Sequence, residues 1–113
     1  MRLIRHPFVD QDLIGIAQHI VTTTKEDIAA AYRRLDEIDA LLQAIAENPQ
    51  SGYRLSAPLD GWLVRHGGAG RRLTIVFKPD FEQDVLYIAL VAFGGSDWIR
   101  RTEQRGTPTS DAF

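Results

Sequence analysis

The spacing of apolar residues changes at Pro49, and that change constrains the fold more than any other feature. Before Pro49, apolar side chains recur every three or four residues, which is the period of one helix face. After Pro49 they occur in short alternating runs, which is the period of a strand. The order of the two patterns predicts an α+β domain in which helices come first and an antiparallel sheet follows.

The helical half predicts a short N-terminal strand and a hairpin of two helices. Residues 2–6 form the predicted strand, and Pro7 suits the first turn of a helix because that turn does not need its N–H. The first helix is predicted to end at Thr22–Thr24. Thr24 followed by Asp27 resembles a capping box for the second helix, which Asn48-Pro49 stops. The apolar faces comprise Phe8, Leu13, Ile14, Ala17, Ile20 and Val21 on the first helix, and Ile28, Ala31, Tyr32, Leu35, Ile38, Leu42 and Ile45 on the second.

The second half predicts a connecting loop over residues 50–60 and then a three-stranded antiparallel meander. Strands are expected over residues 62–66, 71–78 and 84–93, separated by two short turns rich in glycine or proline. With the N-terminal strand, the hairpin packs on a three- to four-stranded antiparallel sheet, and a short C-terminal helix follows. Both faces of the last strand are apolar, so it is predicted to be central, with Leu86, Ile88, Leu90 and Ala92 on one face.

One face of this sheet has no obvious cover in the chain once the helix hairpin has covered the other. It is predicted to carry Arg72, Thr74, Val76, Tyr87 and Val91. An uncovered and partly apolar face is commonly a binding site, so these residues are predicted to contact a partner. The alternative is that residues 96–105 fold back as a helix and close the face.

Composition fits a soluble domain. Hydrophobic residues make up 44% and charged residues 25% of 113 residues, and the absence of cysteine excludes disulfides and thiolate chemistry. The longest apolar run, residues 85–93, is too short for a spanning helix of about 20 residues. Pro7 interrupts any signal-peptide stretch. We expect one cytoplasmic domain over residues 1–106 and a flexible tail over residues 107–113.

Charge is unevenly distributed along the chain. Residues 54–78 contain five basic side chains and one acidic one, so a local contact with an anionic group is most plausible there. The formal net charge of the whole chain is −2, which argues against nucleic acid as the main partner, because binding by counterion release needs a basic protein.

A series of short motifs in this order resembles the RelE/ParE toxin superfamily. The motifs are ENPQSG at 47–52, GWLVR at 61–65, RLTIVF at 72–77 and VLYIALVAFGGSD at 85–97, and the likeness covers about residues 2–98. The resemblance implies the growth-inhibiting toxin of a bacterial type II toxin–antitoxin (plasmid stabilization) system. A cognate antitoxin would neutralise it as a hetero-oligomer by covering the sheet. No membrane, cofactor or metal is implied.

The two branches of that superfamily differ in target. RelE-like members cut mRNA on the ribosome, whereas ParE-like members poison DNA gyrase. The resemblance places Arg65 and Arg72 at basic positions of the RNA-cleaving branch. His66 and Tyr87 are the only proton-transfer candidates, because arginine stays protonated. The arginine and the tyrosine that this branch carries after the last strand have no counterpart here. The sequence therefore favours the ParE-like branch, with a ribosome-dependent mRNA endoribonuclease and a non-toxic binding module of the same fold as alternatives.

Several of these residues also have a plain structural interpretation. His66 beside a glycine turn suits a surface histidine, and the three histidines lack the spacing of metal ligands. Arg72 can pair with Asp84 across the hairpin instead of contacting a partner. Trp98, Arg100 and Arg101 either contact the target or antitoxin or lie on a solvated final helix.

Overall fold

The order of elements follows the change in apolar spacing. A computed structural model describes residues 1–24, 27–94 and 97–105, so the predicted tail at 107–113 lies outside the described residues. The elements are β1 (Arg2–Arg5), α1 (Val9–Thr23), α2 (Ile28–Glu47), β2 (Tyr53–Arg54), β3 (Leu63–Gly67), β4 (Leu73–Asp80), β5 (Val85–Phe93) and α3 (Trp98–Arg105). The predicted α+β architecture of an N-terminal strand, a helix hairpin, a sheet and a short C-terminal helix is confirmed.

The strands form one five-stranded sheet in the order β1-β5-β4-β3-β2. β3, β4 and β5 make the predicted antiparallel meander, and β1 joins it by pairing parallel with β5. The sheet is therefore mixed and five-stranded, whereas three or four antiparallel strands were predicted. The fifth strand is β2, two residues inside the predicted loop that pair with β3. β5 lies between β1 and β4, which is the central position predicted from its two apolar faces.

The helix hairpin covers one face of the sheet. Ile16 of α1 and Ile38 and Ile45 of α2 share a buried cluster with Ile75 and Phe77 of β4. This packing uses the three- and four-residue apolar spacing that predicts the helices. No helix in the described part of the chain has the length and hydrophobicity needed to cross a membrane.

The N-terminus of α2 is capped by Asp27. Its carboxylate accepts a hydrogen bond from the Ala30 N–H at 3.1 Å. Thr24, predicted as the first residue of a capping box, instead donates its hydroxyl to the Ile20 carbonyl at 2.5 Å, at the end of α1. The predicted helix boundary is therefore right and the predicted capping residue is wrong.

A β-bulge changes the faces of β5. Val76 pairs with Leu90 while Phe77 pairs with Ile88, so Ala89 is an extra residue on β5. One extra residue reverses the face of every later side chain in the strand. Leu90 and Ala92 therefore lie with Val76 on the face away from the hairpin, and Val91 packs in the hairpin cluster. The predicted faces of these three β5 residues are wrong.

The face away from the hairpin is covered by the chain itself. Val76 and Leu90 are fully buried in a second cluster that contains Leu59 and Trp62 of the loop between β2 and β3, and Trp98 packs against it. The expectation of an open apolar face is therefore wrong. The alternative, in which the last segment folds back as a helix, describes the structure better, although the loop that contains Trp62 supplies much of the cover.

Candidate functional site

The four predicted catalytic residues are not brought together. His66 lies on the covered face, where its Nδ1 is 2.9 Å from Thr74 Oγ1 and its ring packs edge-on against Trp98. Arg65 points to the other face because side chains alternate along β3, and its guanidinium donates to Ser51 Oγ at 2.9 Å. Tyr87 packs at the border of the second cluster. Arg72 is exposed and lines a cleft beside the helix hairpin.

The predicted alternative of an Arg72–Asp84 pair is wrong because the two residues lie at opposite ends of the β4–β5 hairpin. The Arg72 carbonyl accepts from the Gly94 N–H at 2.9 Å, just beyond the last pair of the hairpin. Asp84 precedes the first residue of β5, at the other end. The eight residues of β4 separate them by roughly 26 Å at about 3.3 Å per residue.

Most residues predicted to bind a partner serve the fold instead. Thr74, Val76 and Val91 have relative exposures of 4%, 0% and 1%, so the folded protein does not present them on its surface. Trp98 is half-buried against the second cluster, and Arg101 pairs with Asp12 at 2.8 Å. The residues of this set that stay exposed are Arg72 and Arg100, and Arg100 pairs at 3.2 Å with Asp97, the residue before its helix.

A buried ionic network ties α3 to α1. The side chain of Asp12 is 3% exposed and accepts from the Arg101 guanidinium at 2.8 Å. The Arg105 guanidinium donates to both Asp12 oxygens, at 2.6 and 2.7 Å. The network was not predicted from the sequence. Its signal is an aspartate three residues after Val9 and four before Ile16, on the buried stripe of α1.

The same network closes an edge of the sheet. β1 ends at Arg5, which pairs with Ile88, so β5 continues beyond the end of its neighbour. There the Val91 N–H donates to Asp12 at 3.1 Å, and the Ala89 carbonyl accepts from Arg105 at 2.8 Å. Side chains thus satisfy backbone groups that an adjacent strand would otherwise pair.

His6 lies beside this network. Its Nδ1 accepts from the Phe8 N–H at 3.1 Å, and the residue is buried. Burial lowers the pKa of His6, and the positive charge of Arg105 lowers it further. A hydrogen bond to the Arg105 backbone and the charge of Asp12 act in the opposite direction. The net effect is a pKa below the ordinary value of 6.5, which favours the neutral ring.

Arg72 faces a second polar feature, which we call the arginine cleft. It has a volume of about 450 Å³ and lies between the end of α1, the first half of α2 and the end of the sheet. Its polar lining comprises His19, Thr23, Thr24, Arg33, Arg34, Glu37 and Arg72, and its apolar lining comprises Ile20, Ala30, Ala69 and Phe93. Three arginines thus share the cleft with one carboxylate.

Glu37 occupies one side of the arginine cleft. Its Oε2 accepts from the Arg34 guanidinium at 2.5 Å and from the Ala69 N–H at 3.5 Å. The Arg34 guanidinium also stacks 4.8 Å from the centre of the Phe93 ring, which fixes its orientation. The side chain of Arg34 is only 18% exposed, so it is held in place by these contacts.

The turn between β3 and β4 forms one wall of the cleft and has an unusual backbone. Gly68, Gly70 and Arg71 have φ of 74°, 68° and 55°, and a side chain rarely tolerates such values. A Cβ on Gly68 would lie 2.8 Å from Leu73 Cδ1 and 3.0 Å from Glu37 Oε2. Glycine at position 68 therefore leaves the space in which the Glu37 carboxylate sits.

Among the described residues, no three His, Asp or Glu side chains are grouped so that they could hold a metal ion. In comparisons with known proteins, no family model matches the chain and no curated protein gives a significant match.

Proposed function

We propose that this protein is the toxin of a type II toxin–antitoxin pair, that it inhibits growth by binding DNA gyrase, and that a cognate antitoxin neutralises it in the cytoplasm. The ordered motifs that resemble the RelE/ParE superfamily support the class. The element order of one strand, two helices and an antiparallel meander is the order that the resemblance implies.

The division of the predicted catalytic residues between two faces carries the choice of binding over RNA cleavage. Cleavage by a 2′-hydroxyl requires a base, an acid and cations around one phosphate. His66 is engaged with Thr74 on the covered face, whereas Arg65 points to the opposite face and Arg72 lies beside the helix hairpin. One phosphate could not contact all three, so this arrangement favours recognition of a target without chemistry.

The proposed contact surface lies at the end of the sheet where β4 begins and β5 ends. Arg72 is exposed there and bonds to Gly94 through its backbone. Trp98 is half-buried and packs edge-on against His66, which pairs with Thr74 near the start of β4. Arginine and tryptophan are among the residues that dominate binding energy in interfaces. We propose this surface in place of the sheet face predicted from the sequence, because the chain itself covers that face.

The proposal is tested with purified protein in two reactions. We expect inhibition of gyrase supercoiling, loss of most of that inhibition in Arg72→Ala, and intact transcripts in a translation reaction. Arg2→Ala is the matched control because Arg2 is also exposed but lies on β1, away from the proposed surface.

Each other result opposes the proposal in a different way. Cleaved transcripts that Arg72→Ala abolishes would establish the endoribonuclease alternative. High expression without harm to cells, together with unaffected gyrase, would establish a non-toxic binding module. Neutralisation is tested separately at the gene level: we expect a short reading frame next to this gene, and its co-expressed product should restore growth and co-purify with this chain.

A further inference from the structure

We propose that the arginine cleft binds the phosphate group of a small organic phosphate, and that the Glu37 carboxylate occupies part of this site in the free protein. The inference concerns a ligand of the cleft and does not depend on gyrase as the target. It follows from the groups that converge on one oxygen and from the charge that remains around them.

The position of Glu37 Oε2 is built for an anionic oxygen. A guanidinium N–H of Arg34 and the backbone N–H of Ala69 both donate to it. Gly68 has no Cβ, and a Cβ there would come within 3.0 Å of the same oxygen. Arg34 is fixed by Phe93 and is mostly buried, so this donor is oriented in advance. A phosphate oxygen accepts hydrogen bonds from the same kinds of donor.

The cleft keeps positive charge that Glu37 does not neutralise. Two of the three arginines have a carboxylate partner: Arg33 Nη2 lies 3.8 Å from Asp27 Oδ2, and Arg34 pairs with Glu37. Among the described residues, Arg72 forms no ion pair. A phosphate carries up to two negative charges and three acceptor oxygens, and guanidinium groups bind it in a bidentate manner. Phosphate therefore balances this lining better than one carboxylate does.

The backbone next to Arg72 is held in an uncommon conformation. Arg71 has φ of 55°, which a residue with a side chain seldom adopts, and it is flanked by Gly70 and Arg72. Such backbone outliers cluster at ligand-binding and catalytic sites, because the surrounding structure must hold them. Here the outlier places Arg72 against the cleft, just before β4 begins.

The size and floor of the cleft indicate the rest of the ligand. A volume of about 450 Å³ falls within the range of about 300 to 1,000 Å³ found for small-molecule sites. Ile20, Ala30 and Phe93 give it an apolar floor. The negative net charge of the chain disfavours a long nucleic acid. A mononucleotide, which joins one phosphate to an aromatic body, fits both the charged and the apolar lining.

The test is isothermal titration of the full chain with AMP, adenosine and inorganic phosphate. We expect AMP to bind and adenosine to bind at least about tenfold more weakly, because charged hydrogen bonds contribute that much or more. Inorganic phosphate distinguishes the source of the group. An affinity equal to that of AMP identifies free phosphate as sufficient, and a weaker one shows that the nucleotide body contributes.

Substitutions in the cleft test the proposal, because it predicts whether each one weakens or strengthens AMP binding. Arg34→Ala and Arg72→Ala should each lower the affinity for AMP about tenfold. Glu37→Gln should raise this affinity about fivefold, because the competing negative charge is removed while an acceptor oxygen remains. Arg2→Ala should change nothing, and circular dichroism checks that each variant is folded. Three results would each overturn the proposal. The first is equal affinity for adenosine and AMP, and the second is weaker AMP binding by Glu37→Gln than by the wild type. The third is the absence of any heat of binding with AMP and phosphate up to about 10 mM.

Discussion

Arg105 and Arg72 have opposite surroundings. On α3, the Arg105 side chain is 9% exposed and joins Arg101 on the buried carboxylate of Asp12. Arg72, by contrast, is exposed at the arginine cleft. A buried guanidinium requires a partner, because leaving it unpaired is strongly destabilising, whereas an exposed one remains available for a ligand. The comparison shows that the environment, and not the residue type, decides which arginines hold the fold and which can bind.

Removing the shared carboxylate should have the largest effect on stability. Asp12→Ala leaves Arg105 buried without a counter-charge and removes the acceptor of the Val91 N–H, so we expect the free energy of unfolding to fall by about 3 to 5 kcal/mol in urea denaturation. The control is Asp10→Ala, whose carboxylate is 75% exposed and pairs with Arg5, and which should lose at most about 1 kcal/mol. Similar losses in the two variants would contradict the structural role assigned to the buried Asp12 network.

Filling the space beside Glu37 should have the next largest effect. Gly68→Ala imposes a positive φ on a residue with a Cβ that lies 2.8 Å from Leu73 Cδ1, so we expect a loss of about 2 kcal/mol. Gly15→Ala is the matched control, because a Cβ at this helical position meets nothing within 4 Å. It should stabilise the protein by about 0.5 to 1 kcal/mol. Thermal melts of the two variants should therefore shift in opposite directions.

His6, which lies beside the buried network, should make stability depend on pH. The pKa of His6 is lowered in the folded state by burial and by Arg105, so the folded protein binds a proton here less readily than the unfolded chain. Its contribution is therefore fully present above about pH 6.5 and is lost as the pH falls through the lowered pKa. Urea denaturation between about pH 7.5 and 5 should show this loss. The decrease in the free energy of unfolding over this pH range should be smaller in His6→Gln than in the wild type. An equal decrease would contradict the assignment to His6.

The smallest effect is expected at Arg72. Arg72→Ala removes an exposed side chain that forms no ion pair among the described residues, so the free energy of unfolding should change by less than about 0.5 kcal/mol. Arg101→Ala should be clearly more destabilising, because Arg101 pairs with buried Asp12. If Arg72→Ala were as destabilising as Arg101→Ala, Arg72 would be one of the arginines that hold the fold.

The sequence predicts the elements well because their signals are local. Apolar spacing, Asn48-Pro49 and the glycine turn place α1, α2, β3, β4 and β5 within a few residues of their observed bounds. The faces of β5 could not be predicted beyond Ile88, since the Ala89 bulge arises from pairing between strands and leaves no mark in the alternation of an apolar run.

The sites depend on contacts between distant residues, and for that reason the sequence predicted them poorly. Arg101 and Arg72 were placed in one predicted binding surface, yet Arg101 meets Asp12, 89 positions earlier in the chain. The cover over Val76 comes from Trp62 and Trp98, which have no regular spacing relative to it. An aspartate on an apolar helix stripe, as at position 12, is the one local sign that a basic partner is required.

The contact between Arg105 and Asp12 has a consequence for biosynthesis. Asp12 leaves the ribosome early, while its partner is added 93 positions later. Until then the Ala89 carbonyl on the rim of β5 lacks the Arg105 guanidinium that caps it, so the growing polypeptide passes through a stage in which this strand can pair with another chain. A chain whose translation stalled just short of residue 105 should therefore be prone to aggregate, although nearly all of its strand and helix residues had already been synthesised.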